Sequence, residues 1–344
     1  MNMCVIKKDE LNRFLAAILE THRLFAPVRE GAGSLYRTVE RPEDVCLDFL
    51  RPLRSAKEIF FPQNEVLFYF NQRTQKSVEP AKDDRPAVLF GVTPCDLAGI
   101  AAQDRLFTGG AYQDAYYQRK RSNTVIVGMA CPEPGPTCFC NAFGIDRFAS
   151  ALADLMFIPL DDVYLINVNT EAGAKLVTSL AEASPADLER LEVLKNRETG
   201  FTMEIPDLET LSRALADEFD ADFWDDISQR CIGCAACAYV CPTCHCFDIT
   251  DETAGDLGRR VRTWDGCMAS RFTMHASGHN PRTRGGQRMR QRILHKFSYF
   301  MENQGCLSCT GCGRCIDLCP VGMDLREILR RIAGDVLQPA PGEK

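Results

Sequence analysis

The chain has 344 residues, 45% hydrophobic and 25% charged, so it is long enough for two or three domains and apolar enough to bury a core. Its formal net charge of -7 argues against wholesale nucleic-acid binding, and no apolar run approaches the ~20 residues of a membrane span. The opening MNMCVIKKDE is polar and lacks an apolar h-region, so no secretory leader is expected and the expected location is cytoplasmic.

In chain order, Leu11, Phe14, Leu15, Ile18 and Leu19 share one helical face, which predicts a helix over 10–20 packed on a core. Glu65 to Phe70 (EVLFYF) and Ala87 to Val92 (AVLFGV) read as short strands. Asp96 to Phe107 reads as a helix and Thr124 to Ala130 (TVIVGMA) as a buried strand. Strand, helix, strand at this spacing suggests a right-handed βαβ unit. Leu155 to Val168 holds two strands about Asp161-Asp162, read as a hairpin. Ser184-Pro185 starts a helix bearing Leu188, Leu191 and Leu194, with Ser184 as cap and Pro185 in the first turn. Gly31-Ala32-Gly33 lacks a third glycine and a preceding strand, so no dinucleotide fingerprint is expected, and no phosphate loop occurs. Flavin or nicotinamide, if used, would sit on a partner.

Residues 204–226 are acidic: Glu204, Asp207, Glu209, Asp217, Glu218, Asp220, Asp222, Asp225 and Asp226, against Arg213 alone. Leu208, Leu211, Leu215 and Phe219 run through them as a stripe, so the segment reads as one helix with a solvated face. A domain boundary is expected near its end. The expected fold class is α+β: an N-terminal α/β domain over 1–225, an alpha-helical two-cluster domain over 226–335, and a flexible tail over 336–344.

The chemistry concentrates in two runs, Cys231 to Pro242 (CIGCAACAYVCP) and Cys309 to Pro320 (CTGCGRCIDLCP). Each reads C-x2-C-x2-C-x3-C-P, the ligand spacing of a bacterial-type 4Fe–4S ferredoxin. The curl of each run supplies three thiolates to one cubane, and the fourth cysteine, beside the proline, points to the other cluster. One cluster is therefore expected on Cys231, Cys234, Cys237 and Cys319, the second on Cys309, Cys312, Cys315 and Cys241. Two zinc sites are the alternative, but zinc motifs usually supply cysteines in pairs.

The insert between the runs is basic: Arg259, Arg260, Arg262, Arg271, Arg282, Arg284, Arg288, Arg290, Arg292 and Lys296, with Asp265 as its only acid. These cations either offset the negative charge of the clusters or dock acids, of a partner or of this chain's own acidic segment. His245, His275, His279 and His295 are read as structural rather than ligating.

Upstream, Cys95 follows the strand at 87–92 and Cys131 the strand at 124–130, with Cys138 and Cys140 beyond a proline-rich loop. If the two strands are parallel neighbours, both thiols emerge at the C-terminal sheet edge where α/β folds place ligands. Four converging thiols fit a third 4Fe–4S cluster or a zinc site, and buried free thiols are the remaining alternative. Asp96 is a reserve oxygen ligand. Cys244, Cys246, Cys267 and Cys306 are read as packing around the clusters, and Cys4 and Cys46 as ordinary free thiols.

The block CIGCAACAYVCPTCHCFDI, then WDGC, RMRQRILHKFSYF and CTGCGRCIDLCPVGMDL, resembles an iron–sulfur subunit shared by two enzymes, anaerobic sulfite reductase and the soluble nickel–iron sulfhydrogenases, where it is called beta. PCDLAGI and CFC extend the likeness over roughly residues 60–335. Thr93 stands where the resemblance leads one to expect Arg, and Cys306 adds a thiol before the second run. The resemblance implies a helical ferredoxin domain behind an α/β domain. It also implies a hetero-oligomer in which this chain passes electrons between a catalytic redox subunit and one that binds FAD and NAD(P)H. The rival expectations are a self-contained iron–sulfur disulfide reductase using Cys244 and Cys246, and an iron–sulfur redox sensor. The sensor would need a DNA-binding motif that the chain does not display.

Overall fold

The structure is a computed structural model that describes residues 3–81, 83–201 and 206–337. Its strands are β1 (Met3–Lys7), β2 (Arg23–Glu30), β3 (Gly33–Val39), β4 (Asn64–Asn71), β5 (Lys76–Val78), β6 (Ala87–Val92), β7 (Thr124–Met129), β8 (Leu155–Pro159), β9 (Val163–Val168), β10 (Ala181–Glu182), β11 (Phe247–Ala254) and β12 (Leu257–Trp264). By Cα proximity the chain forms two units, Met1–Phe60 with Asp83–Thr202, and Phe61–Lys82 with Met203–Lys344.

The first unit is built on an eight-stranded sheet of order β10-β1-β9-β8-β7-β6-β2-β3. Its centre, β8-β7-β6-β2, is parallel, and the outer pairs are antiparallel. A parallel strand is covered on both faces, which is why AVLFGV is apolar throughout and every residue of β6 is buried. Leu11, Phe14, Leu15 and Ile18 of the helix Leu11–Thr21 pack with Val88, Phe90, Val127, Leu155 and Phe157 in one core. The helix Pro94–Thr108 connects β6 towards β7. A Cβ at Gly128 would meet Leu97 Cδ1 at 3.1 Å, so the bare backbone there admits close helix packing. The hairpin about Asp161-Asp162 is present as β8 and β9, and Ser184 caps the helix Pro185–Lys195 through a capping box with Asp187.

Three local expectations change. A strand does precede Gly31, but Gly31-Ala32 is the turn of the β2–β3 hairpin and leads to a strand, not to a phosphate-binding helix. The strand β1 lies ahead of the first helix. The acidic segment is not one helix: among the described residues it breaks into Leu208–Ala214 and Phe223–Ser228. Leu208, Leu211 and Leu215 are buried, whereas Phe219 is exposed, so the apolar stripe ends before it. Glu204 and the tail 338–344 lie outside the described residues.

The second unit contains a four-stranded antiparallel sheet, β11-β12-β4-β5, besides its helices. Sequence alone placed 64–71 with the N-terminal domain and expected a purely helical second domain. The difference arises because β11 and β12, within the insert, pair with β4. Arg262 of β12 lies opposite Glu65 of β4 and bonds it at 2.5 Å, both side chains buried. Trp264 Nε1 donates to the Phe61 carbonyl at 3.1 Å.

Candidate metal centre

The two cysteine runs follow the same local path. Gly233 and Gly311, each third in its run, have φ of +69° and +59°, and Ala235 and Gly313, each fifth, have φ of +61° and +78°. Each run then enters a one-turn helix, Ala236–Tyr239 or Arg314–Asp317. The left-handed steps curl the backbone tightly. Glycine takes them freely, whereas Ala235 bears a cost of about 1–2 kcal/mol.

Cys231, Cys234, Cys237 and Cys319 line one cavity, joined by Cys315, Arg292 and apolar walls that include Ile232, Met268, Met289 and Leu325. A second group adjoins it. Burial pushes the Cys309 thiol up to about 11, Lys296 pulls against this, and Cys241 and Cys312 push further. Cys315 is likewise raised by burial, with Arg292 opposing and Cys312, Cys309 and Cys241 adding to the rise. Cys241 itself is held well below the usual thiol value, first by a hydrogen bond from Cys244 and then by Lys296 and Arg292. Cys267 stands close enough to Cys237 to contribute to its rise, which is dominated by burial.

One helical rod aims two cations at these thiols. The helix Gly285–Leu294 continues through a π-helical turn, His295–Tyr299, into Phe300–Gln304. Arg292 and Lys296, four residues apart, share a face. Lys296 Nζ donates to Cys241 Sγ at 3.2 Å, Thr243 Oγ1 at 3.0 Å and the Ser308 carbonyl at 2.8 Å. Arg292 reaches the Cys237 carbonyl at 3.4 Å and Cys244 Sγ at 3.9 Å. Burial opposes the Lys296 charge, but the Cys241 and Cys244 thiols outweigh it and its pKa is raised. Beside Cys309, the hydroxyls of Ser308 and Thr310 are buried without a hydrogen-bond partner in the protein.

An all-sulfur donor set, two buried cations and two orphaned hydroxyls fit an anionic iron–sulfur cluster. They fit a neutral void poorly, because buried charge and unpaired hydroxyls are costly without a partner. Among the described residues no three His, Cys, Asp or Glu side chains close on the point a single ion would need. A cubane takes one thiolate at each corner and so uses a wider frame.

The other insert cations mostly meet the chain's own acids. Arg259 bonds Glu252 at 2.6 Å and Arg260 bonds Asp251 at 2.7 Å. Arg284 bonds Asp225 at 3.0 Å, and Arg290 approaches Asp220 at 3.7 Å while its guanidinium covers the Phe219 ring. The basic insert thus does both things expected of it, through different residues. The His245 and His295 rings are 5.2 Å apart, as are His275 and His279 at 5.3 Å. Burial, with Lys296 nearby, lowers His295 to about 4.

In the first unit β6 and β7 are parallel neighbours, so Cys95 and Cys131 leave the same sheet edge. Cys131, Cys138 and Cys140 come together. Burial lifts Cys131 to about 11, with Cys138 adding to it, and lifts Cys140 to about 12, with Cys138 and Cys131 adding. Cys95 opens the helix Pro94–Thr108, its Sγ 3.3 Å from Thr93 Oγ1, and Asp96 beside it is fully buried. Two arginines missed by the sequence reading attend the trio. Arg51 donates to Cys138 Sγ at 3.3 Å and to Thr137 Oγ1 at 3.1 Å, and Arg147 donates to the Cys131 carbonyl at 3.1 Å. No spacing rule links Arg51 to a cysteine 87 positions away. Cys4 is part of the apolar core, and Cys46 donates to Asp48 Oδ1 at 2.5 Å.

The repeated cysteine geometry defines an iron–sulfur protein of the dicluster class, and residues 230–323 match the 4Fe-4S dicluster domain family. Over 337 residues, 96% of this chain and 98% of the relative, it is 29% identical to sulfhydrogenase 2 subunit beta of Pyrococcus furiosus. The likeness is thus wider than the span the motifs marked. No solved structure shows a significant match. The chain is an iron–sulfur electron-transfer subunit that resembles sulfhydrogenase beta. Among the described residues no helix is long and apolar enough to cross a membrane.

Proposed function

We propose that this chain relays electrons between a subunit that binds FAD and NAD(P)H and a catalytic subunit of hydrogenase or sulfite-reductase type. The observation that carries the reading is the exchange of fourth cysteines. Cys319 shares a cavity with Cys231, Cys234 and Cys237, and Cys241 stands among Cys309, Cys312 and Cys315. These two sets would hold the two clusters, in a domain over 226–335 whose helices carry the motifs. When bound, a 4Fe–4S cluster takes up or gives back one electron. The chain's own residues supply the thiolates, exclude water with an apolar wall, and set fixed positive charge against the buried anion. A third cluster on Cys95, Cys131, Cys138 and Cys140 is supported by the convergence of three of these thiols at one sheet edge and by the Arg51 hydrogen bond to Cys138. The hetero-oligomer is supported by the relative, which is itself named as a subunit.

The isolated chain should be reduced by a strong chemical reductant and not by NAD(P)H. Adding a flavoprotein partner should restore reduction by NAD(P)H. Visible bleaching on anaerobic titration measures both. Stoichiometric flavin on the isolated chain, or bleaching by NAD(P)H alone, would make it an oxidoreductase in its own right.

A further inference from the structure

The two fourth cysteines occupy equivalent places in their runs but receive different hydrogen bonds. Cys319 Sγ accepts from the backbone N–H of Met323 at 3.2 Å, a neutral donor. Cys241 Sγ accepts at the same distance from the Lys296 ammonium, a full positive charge that is 2% exposed. The ammonium spends its other protons on Thr243 Oγ1 and the Ser308 carbonyl, so it is fixed in place rather than shared with solvent. Lys296 also sits in the π-helical turn of its helix, an irregularity frequent at functional sites. Arg292 lies near thiols of both sets and so does not distinguish them. The unpartnered hydroxyls of Ser308 and Thr310 flank Cys309, on the same side of the asymmetry.

We propose that Lys296 sets the reduction potential of the cluster held by Cys241, Cys309, Cys312 and Cys315 above that of its neighbour, by fixing a positive charge on one of its thiolates. The proposal rests on the two-cluster reading above. Reduction adds one electron to an already anionic group and breaks no bond. A fixed cation in a dry site stabilises the more negative state more strongly, whereas a neutral amide on the other cluster does so less. An electron shared between the two clusters therefore rests on the Lys296 side. Lys296 is a positioning residue: it holds charge against a thiolate and carries no electron itself.

The test is a potentiometric titration of the full chain followed by EPR, with iron content measured alongside. In Lys296→Met and Lys296→Gln one couple should fall by at least tenfold in its one-electron equilibrium constant, 59 mV. The couple that falls should be the higher of the two spin-coupled dicluster couples, and the other should move less. Lys296→Arg should restore it. Couples that stay in place, fall together, or fall only at the lower of the two would overturn the proposal. If neither neutral variant retains its iron, the unsubstituted chain decides. Its two spin-coupled couples must stand apart by at least that tenfold, and coincident couples overturn the proposal. A chain with no iron at all removes the two-cluster reading instead, and the iron content tells the two failures apart.

Discussion

Ala235 stands where the second run has Gly313, and both adopt left-handed backbone. Equivalent residues under the same constraint make opposite predictions. Gly313→Ala should destabilise the cluster-loaded chain by about 1–2 kcal/mol, while Ala235→Gly should be neutral or stabilising by up to about 1 kcal/mol, since the relieved strain is partly offset by added unfolded-state entropy. Denaturant unfolding under anaerobic conditions measures both, and a loss at Ala235→Gly matching that at Gly313→Ala would refute the strain argument. Glu58 in the first unit makes a second residue-scale case. Burial raises its pKa above the ordinary 4.5, and Arg54, Arg37 and Lys57 only partly oppose this. A carboxyl whose folded pKa is raised favours folding below its unfolded pKa and loses that contribution as pH rises through the folded value. Glu58→Gln should therefore raise Tm in neutral buffer and lose the advantage below the ordinary value of 4.5. A gain that grew in acid would reverse the sign.

At the scale of elements, what could be read from sequence was what local pattern dictates. The apolar face of Leu11, Phe14, Leu15 and Ile18 is a helix, AVLFGV is a doubly covered strand, and the cysteine spacing curls as expected. What escaped depends on distant pairing. The strand β1 is short and finds its partners at β9 and β10, far along the chain. The hairpin β11–β12 turns at Gly255-Asp256, a recognisable signal, but β11 is exposed along its whole length and shows no apolar alternation. Its register rests instead on the buried Arg262–Glu65 pair, whose members are 197 residues apart. Arg292 and Lys296 were visible as basic residues, but their i, i+4 spacing beside buried Met289, Ile293 and Phe297 was the stronger sign that they point inward. The crossed pairing of the two runs is also an element-scale claim. Cys319→Ala should alter the EPR signal of the cluster on Cys231, Cys234 and Cys237, and damage confined to the cluster on Cys309, Cys312 and Cys315 would show uncrossed ligation.

At the scale of the whole molecule, one α/β unit gathers thiols at a parallel-sheet edge, and a second unit repeats one cysteine motif twice. The first unit's contribution was legible only in part. The parallel strands followed from their composition, but Arg51 and Arg147 come from loops that carry no pattern. Electron carriage requires that the thiols be occupied by iron and inorganic sulfide in fixed proportion. The most direct measurement is iron and acid-labile sulfide per chain in anaerobically purified protein. The expected result is about 8 of each from the two repeated motifs, rising to about 12 with the upstream site filled, at four per cubane. Zinc in place of iron, or iron without labile sulfide, would contradict it.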